Sequence, residues 1–167
     1  MNLSSPMPLA TVNDEILTPA LFFLGAKYDS FEARLFLLTV GQQESRFMYR
    51  RQMNNGPATG FWQFERGGGV RGVLNHHSTA DTMLEVCEHF SVPSTSQAVW
   101  EALEENDLLA ACVARLLAYT SPQLFPERND PVGYWEMYLD TWRPGKPHER
   151  TWADYFQNSL AVLNRSS

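Results

Sequence analysis

Residues 29–64 read DSFEARLFLLTVGQQESRFMYRRQMNNGPATGFWQF. Apolar residues recur at Phe31, Leu35 and Leu38, and Phe36, Leu37 and Val40 widen that stripe. A helical stripe this wide predicts a central, largely buried helix rather than a surface one. Asp29 and Glu32 stand ahead of it as a capping-box-like pair. The helix is expected to run out near Glu44 and Ser45. Beyond them the residues are polar and irregular, and Asn54-Asn55-Gly56-Pro57 is strong turn punctuation.

On the N-terminal side, residues 1–13 are polar and carry prolines, which predicts an extended arm. Thr18 as cap and Pro19 in the first turn predict a short helix over about 18–27. On the C-terminal side, three consecutive glycines, Gly67 to Gly69, weaken any helix before Val70. Ser78 and Ser96 are expected to cap helices over about 79–90 and 97–104. Asn106 or Asp107 opens a long apolar helix to about Tyr119, which Pro122 and Pro126 end. Asp130-Pro131 starts a helix to about Trp142, and Thr151 caps a last one to about Leu163. With about seven helices and no sustained strand alternation, the expectation is an all-α fold: an arm over 1–13, then a single domain over 14–167.

Aromatic residues make up 13% of the chain, a surplus that suits either a large core or a groove that stacks on sugar rings. The formal net charge is −6, which argues against a nucleic-acid binder. Between Glu44 and Arg71, however, five arginines face two glutamates, so a local basic patch is expected on an acidic body. Cys87 and Cys112 lie on apolar helix faces and read as buried free thiols. His76-His77 has no partner ligands spaced around it, so no metal and no cofactor are expected. The first fifteen residues lack a charged segment followed by an apolar run, and no stretch approaches the ~20 apolar residues of a membrane span. The expectation is a protein made in the cytoplasm without a signal peptide and without membrane insertion.

Glu44 is the acid with chemical interest. A carboxyl at a helix C-terminus, close to Phe47, Phe61 and Trp62, would have its pKa raised by the dipole and by apolar surroundings. A raised pKa keeps the proton that a general acid must deliver. Glu65 is the candidate second carboxylate, with a salt bridge to Arg66 or Arg71 as its alternative. Ser45 reads as a brace for the turn, and Trp135, Tyr138, Trp142, Trp152 and Tyr155 read as core. Arg143 and Lys146 sit in the proline-rich turn, solvated or touching substrate carboxylates.

Glu44-Ser45-Arg46-Phe47, followed after a polar loop by Gly56-Pro57-Ala58-Thr59-Gly60-Phe61-Trp62-Gln63-Phe64, resembles the signature of lysozyme-like lytic transglycosylases. That signature is a Glu-Ser-x-Phe at a helix end, then a Gly-Ala-x-Gly-Leu-Met-Gln-like segment. Here Pro57 is inserted, and Phe61-Trp62 stands for Leu-Met. Ala118-Tyr119 looks like the Ala-Tyr that precedes Asn-Ala-Gly in that family, but Thr120-Ser121-Pro122 follows instead. The GPATGFWQFE and WRPGKP pieces look like those of small phage-encoded lysozyme-like proteins.

The resemblance implies a lysozyme-like fold and cleavage of peptidoglycan glycan strands, with Glu44 as general acid and base. Gln63 would bond a sugar hydroxyl or acetamide, or position Glu44. Gly60 would let the backbone approach the sugar, Phe61 or Trp62 would stack on a pyranose, and Tyr119 would bond Glu44 or substrate. The implied site of action is the bacterial cell wall, reached in a phage particle or with a holin, with other virion proteins as partners. Two alternatives stand beside the transglycosylase. One is a peptidoglycan or chitin hydrolase using a second carboxylate; the other is a non-catalytic virion or glycan-binding protein.

Overall fold

The expected arm is helical from Leu9 onward. The computed structural model describes residues 5–166, so residues 1–4 of that arm lie outside it. Helix α1 (Leu9–Thr11) continues through a π-wound segment, Val12–Leu17, into α2 (Thr18–Leu24). The cause is packing: Val12, Ile16, Leu17, Ala20 and Leu21 form one buried stripe across the boundary expected at Thr18. Thr18 is therefore not a cap, and its hydroxyl donates to the Asn13 carbonyl at 3.0 Å.

Helix α3 (Phe31–Ser45) is the central helix, with every residue from Leu35 to Gln42 buried. Its cap is Ser30, whose hydroxyl accepts from the Ala33 N–H at 3.0 Å. The expected capping pair does other work. Asp29 holds the Arg34 fork through two 2.9 Å hydrogen bonds, and Glu32 pairs with Arg128 at 2.6 Å. The helix ends as Arg46 and then Phe47 turn left-handed, at φ 57° and 52°. The Phe47 ring folds back over Gly41, where a Cβ would collide with it.

A short hairpin follows. Strand β1 (Ala58–Thr59) pairs antiparallel with β2 (Phe64–Glu65), with Ala58 opposite Glu65. Two-residue strands cannot display an alternation, which is why the sequence reads as irregular here. Gly60 at φ 78° and Gln63 at φ 52° shape the turn between them.

Arg66–Val70 is π-wound with a kink at Gly68, and the remaining α-helices are α4 (Arg71–Asn75), α5 (Ala80–His89), α6 (Ser96–Leu103), α7 (Asp107–Tyr119), α8 (Pro131–Trp142) and α9 (Trp152–Ser166). Asn106 and Asp130 cap α7 and α8 as their residue types predict, accepting from Leu109 and Gly133 N–H groups. Three expected caps are displaced. Thr95 rather than Ser96 caps α6, the Ser78 hydroxyl meets His76 Nδ1 at 2.7 Å, and the Thr151 hydroxyl donates to Gln43 and His148.

Among the described residues the class is thus mainly helical, with one small hairpin. A continuous apolar core runs from Val12 to Leu163. Helix α9 lies along α3, where the Gln42 amide donates to Ser159 Oγ at 2.9 Å. Cys87 and Cys112 are buried and free, and burial pushes the Cys112 thiol up to about 12. Among the described residues no helix is long and apolar enough to cross a membrane.

Candidate active site

Glu44 is the last residue but one of α3, and its carboxyl opens on a cleft of about 970 Å³. Burial is the larger influence on it and drives its pKa up to about 7. The Tyr138 hydroxyl, which donates to Glu44 Oε2, pulls the other way by favouring the charged form. The carboxyl is therefore held well above the ordinary carboxylate range, toward its neutral form, on the wall of the cleft. Burial and the charge of Glu44 together raise the Tyr138 hydroxyl well above the ordinary phenol range, so it stays a donor.

Tyr138 is the residue that sequence reading placed in the core. It is largely buried, and its ring stacks on Trp152 at 5.1 Å, which fixes the direction of its hydroxyl. The available signal was chemical: a tyrosine on a stripe of tryptophans needs an acceptor for its O–H. The carboxyl that satisfies it lies 94 residues earlier in the chain, so no local pattern connects the two.

The helix end beneath Glu44 is braced by Ser45. Its hydroxyl donates to the Phe61 carbonyl at 2.6 Å and accepts from the Phe47 N–H at 3.1 Å. The hairpin turn is thereby held to the end of α3. Trp62 joins the two helices that carry the site. Its Nε1 donates to the Leu37 carbonyl of α3 at 2.9 Å, and its own carbonyl accepts from Trp142 Nε1 of α8 at 3.0 Å.

Several expected ligand contacts are corrected. Phe61 and Trp62 are 1% and 0% exposed, so neither presents a face to a sugar. Phe61 packs edge-on against Phe47, and Arg50 lies over it at 4.2 Å. Gly60 faces Leu103 and Ala110 in the interior, so it is required by its turn and not by a close ligand. Tyr119 does not reach Glu44; it stands beside Tyr28 and lines a second cavity. Gln63 does line the cleft, while its amide N–H₂ braces the turn by donating to the Gly60 carbonyl at 2.9 Å.

Glu65 lines the same cleft as Glu44, and it forms no ion pair with Arg66 or Arg71. Asp140, which sequence reading passed over, is a further carboxylate on that wall. The aromatic surfaces available to a ligand are Tyr49 and Trp142, not the pair in the hairpin turn. Trp142 also stacks on Phe64 at 5.7 Å. Arg143, Lys146 and His148 line the cleft as well. Their turn is pinned to α3 by Gln43, which donates to the His148 carbonyl at 2.8 Å and accepts from Thr151 at 2.9 Å.

The expected basic patch is partly neutralised. Arg50 is held by Asp107 at 2.8 Å, and Arg51 lies 3.8 Å from Glu104. The cations that border the cleft come instead from the proline-rich turn. Among the described residues no group of three or more His, Cys, Asp or Glu side chains is arranged to hold a metal ion. Compared with family models, with curated proteins and with solved structures, the chain finds no match.

Proposed function

We propose that the cleft is a glycosidase-type active site that cuts peptidoglycan glycan strands, with Glu44 as its general acid and base, on a lysozyme-like helical domain. The observation that carries this reading is one carboxyl with its pKa raised to about 7 by burial, lining a cleft of about 970 Å³ and held by a single donor. The reading rests on the site itself and on the Glu-Ser-x-Phe resemblance.

The chemistry follows from that placement. Protonated Glu44 gives its proton to the glycosidic oxygen as the C1–O bond breaks, and the leaving sugar departs as an alcohol. The Glu44 carboxylate left behind is stabilised by the Tyr138 O–H. It then takes the proton of the muramoyl 6-hydroxyl as that oxygen bonds to C1, which closes a 1,6-anhydro ring and restores the acid. This cycle consumes no water and needs no second carboxylate. Tyr49 and Trp142 offer ring faces for the sugars, and Arg143 and Lys146 offer positive charge to an anionic polymer.

Hydrolysis is the second reading, favoured by one specific observation: Glu65 and Asp140 both line the cleft that holds Glu44. Either would supply the second carboxyl that hydrolysis ordinarily requires. The test is digestion of purified peptidoglycan by the wild type and by Glu44→Gln, with products identified by mass spectrometry. Anhydro-muropeptides from the wild type alone are the expected result. Reducing ends would replace the transglycosylase with the hydrolase. No product from folded wild type would overturn both and leave a glycan-binding or virion protein.

A further inference from the structure

Beside the cleft lies a second cavity of about 680 Å³, and His76 and Thr120 line both. Its inner wall is Arg115, which is 5% exposed. Arg115 Nε donates to the Tyr28 carbonyl at 2.7 Å. The rings of Tyr28, Tyr119 and Phe125 surround its guanidinium at 5.6, 5.9 and 5.2 Å. Among the described residues no carboxylate lies within ion-pair distance, and neither Nη nitrogen has a hydrogen-bond partner. Asp29, the nearby acid, is engaged by Arg34.

A buried guanidinium without a counter-charge is unfavourable, and an anion arriving from solvent relieves it. The rest of the cavity suits such a guest. Lys27 stands at the mouth with Nζ 5.1 and 5.4 Å from the Tyr28 and Tyr119 rings. No aspartate or glutamate lines the cavity, although the chain carries 19 acidic residues against 13 Lys and Arg. Leu124, 92% exposed, offers an apolar contact at the rim.

We infer that this cavity is a carboxylate-binding annex to the cleft, in which Arg115 and Lys27 take the free carboxylate of a peptide stem attached to the glycan that Glu44 cuts. The inference rests on the proposed glycan chemistry for its choice of ligand. It assigns Tyr119, His76 and Arg115 to substrate selection instead of bond cleavage. A stem carboxylate would reach the Arg115 fork while its alkyl parts lie against Leu124 and Phe125.

The test is binding, read by NMR on the full chain. A soluble stem tetrapeptide with free carboxylates, sodium acetate and inorganic phosphate are titrated separately while the Arg115 Nε–H and Lys27 Nζ signals are followed. Saturable shifts with the tetrapeptide, at concentrations where acetate and phosphate move nothing, are expected. Arg115→Lys keeps the charge but loses the fork, and should weaken binding about tenfold. Lys27→Met changes an exposed side chain and should weaken it severalfold, which keeps the test open if Arg115→Lys does not fold. Equal responses to all three probes would reduce the cavity to a free-anion site and overturn the stem assignment. No response would overturn the site. Because no bond is cut, these results are separable from the digestion. A protein that cuts glycan but ignores the peptide refutes only the annex. One that binds the peptide but cuts nothing refutes only the cleft chemistry.

Discussion

Glu44→Gln is expected to make the protein more stable as well as inactive, and only above mildly acidic pH. The Glu44 carboxyl rises from an ordinary 4.5 to about 7 in the fold. Below about 4.5 both folded and unfolded chains hold the proton, so this group has no influence on stability. Between about 4.5 and 7 the unfolded chain gives up its proton and the folded chain keeps it. Stability therefore falls as pH rises through that window, and the full loss is present above about 7. The gap corresponds to about 3 kcal/mol at 25 °C. For a chain of this size that is roughly 6–12 °C in Tm. Glutamine retains an acceptor for Tyr138 and removes the titration. Thermal unfolding of both proteins should give matching Tm values near pH 4 and a widening gap to pH 8, with the variant higher. A constant difference across pH would refute the reasoning, because it would mean that Glu44 titrates alike in both states.

Tyr138→Phe removes the one donor to Glu44, so the carboxyl should hold its proton to still higher pH. The alkaline limb of the pH–rate profile should move up while kcat/KM at pH 7 falls about tenfold or more; an unmoved limb would deny Tyr138 its role. Trp62→Phe should destabilise the fold by about 1–3 kcal/mol through the lost bond to Leu37, with KM for glycan unchanged. A raised KM at full stability would put Trp62 back among the sugar contacts. Gly41→Ala drives a methyl into the Phe47 ring and should cost about 1–3 kcal/mol in urea denaturation. An unchanged midpoint would show that the ring has room to move.

The parts of this molecule that were legible in sequence are those set by neighbours in the chain. Helix α3 announced itself through a stripe wide enough to be buried all round. Asn106 and Asp130 announced the starts of α7 and α8 because a cap acts within one turn. Glu44 stood out because a carboxyl at a helix C-terminus beside aromatic residues has its pKa raised. The errors share one origin. Phe61 and Trp62 are large, flank a motif and invite a binding role, yet their placement follows from what packs over them: Phe47, Arg50 and the Leu37 carbonyl. Tyr119 was assigned by position in a family pattern, whereas the hydroxyl that reaches Glu44 comes from α8. The helical stretch before Thr18 was missed because polar Asn13, Asp14 and Glu15 mask a stripe that only the buried partner surface makes visible.

The double tie at Trp62 also bears on how the molecule moves. Leu37 and Trp142 are bonded through one buried residue, so sliding α3 past α8 would break two interior hydrogen bonds in the same event. Such an event belongs with global unfolding rather than with breathing. The Trp62 indole proton should accordingly be among the last in the molecule to exchange with deuterium. Glu44 and Tyr138, one on each helix, are then held at a constant separation. If the cleft takes a polymer as proposed, this tie leaves any opening to its borders, such as the turn at Pro144 and Gly145, while the acid stays still.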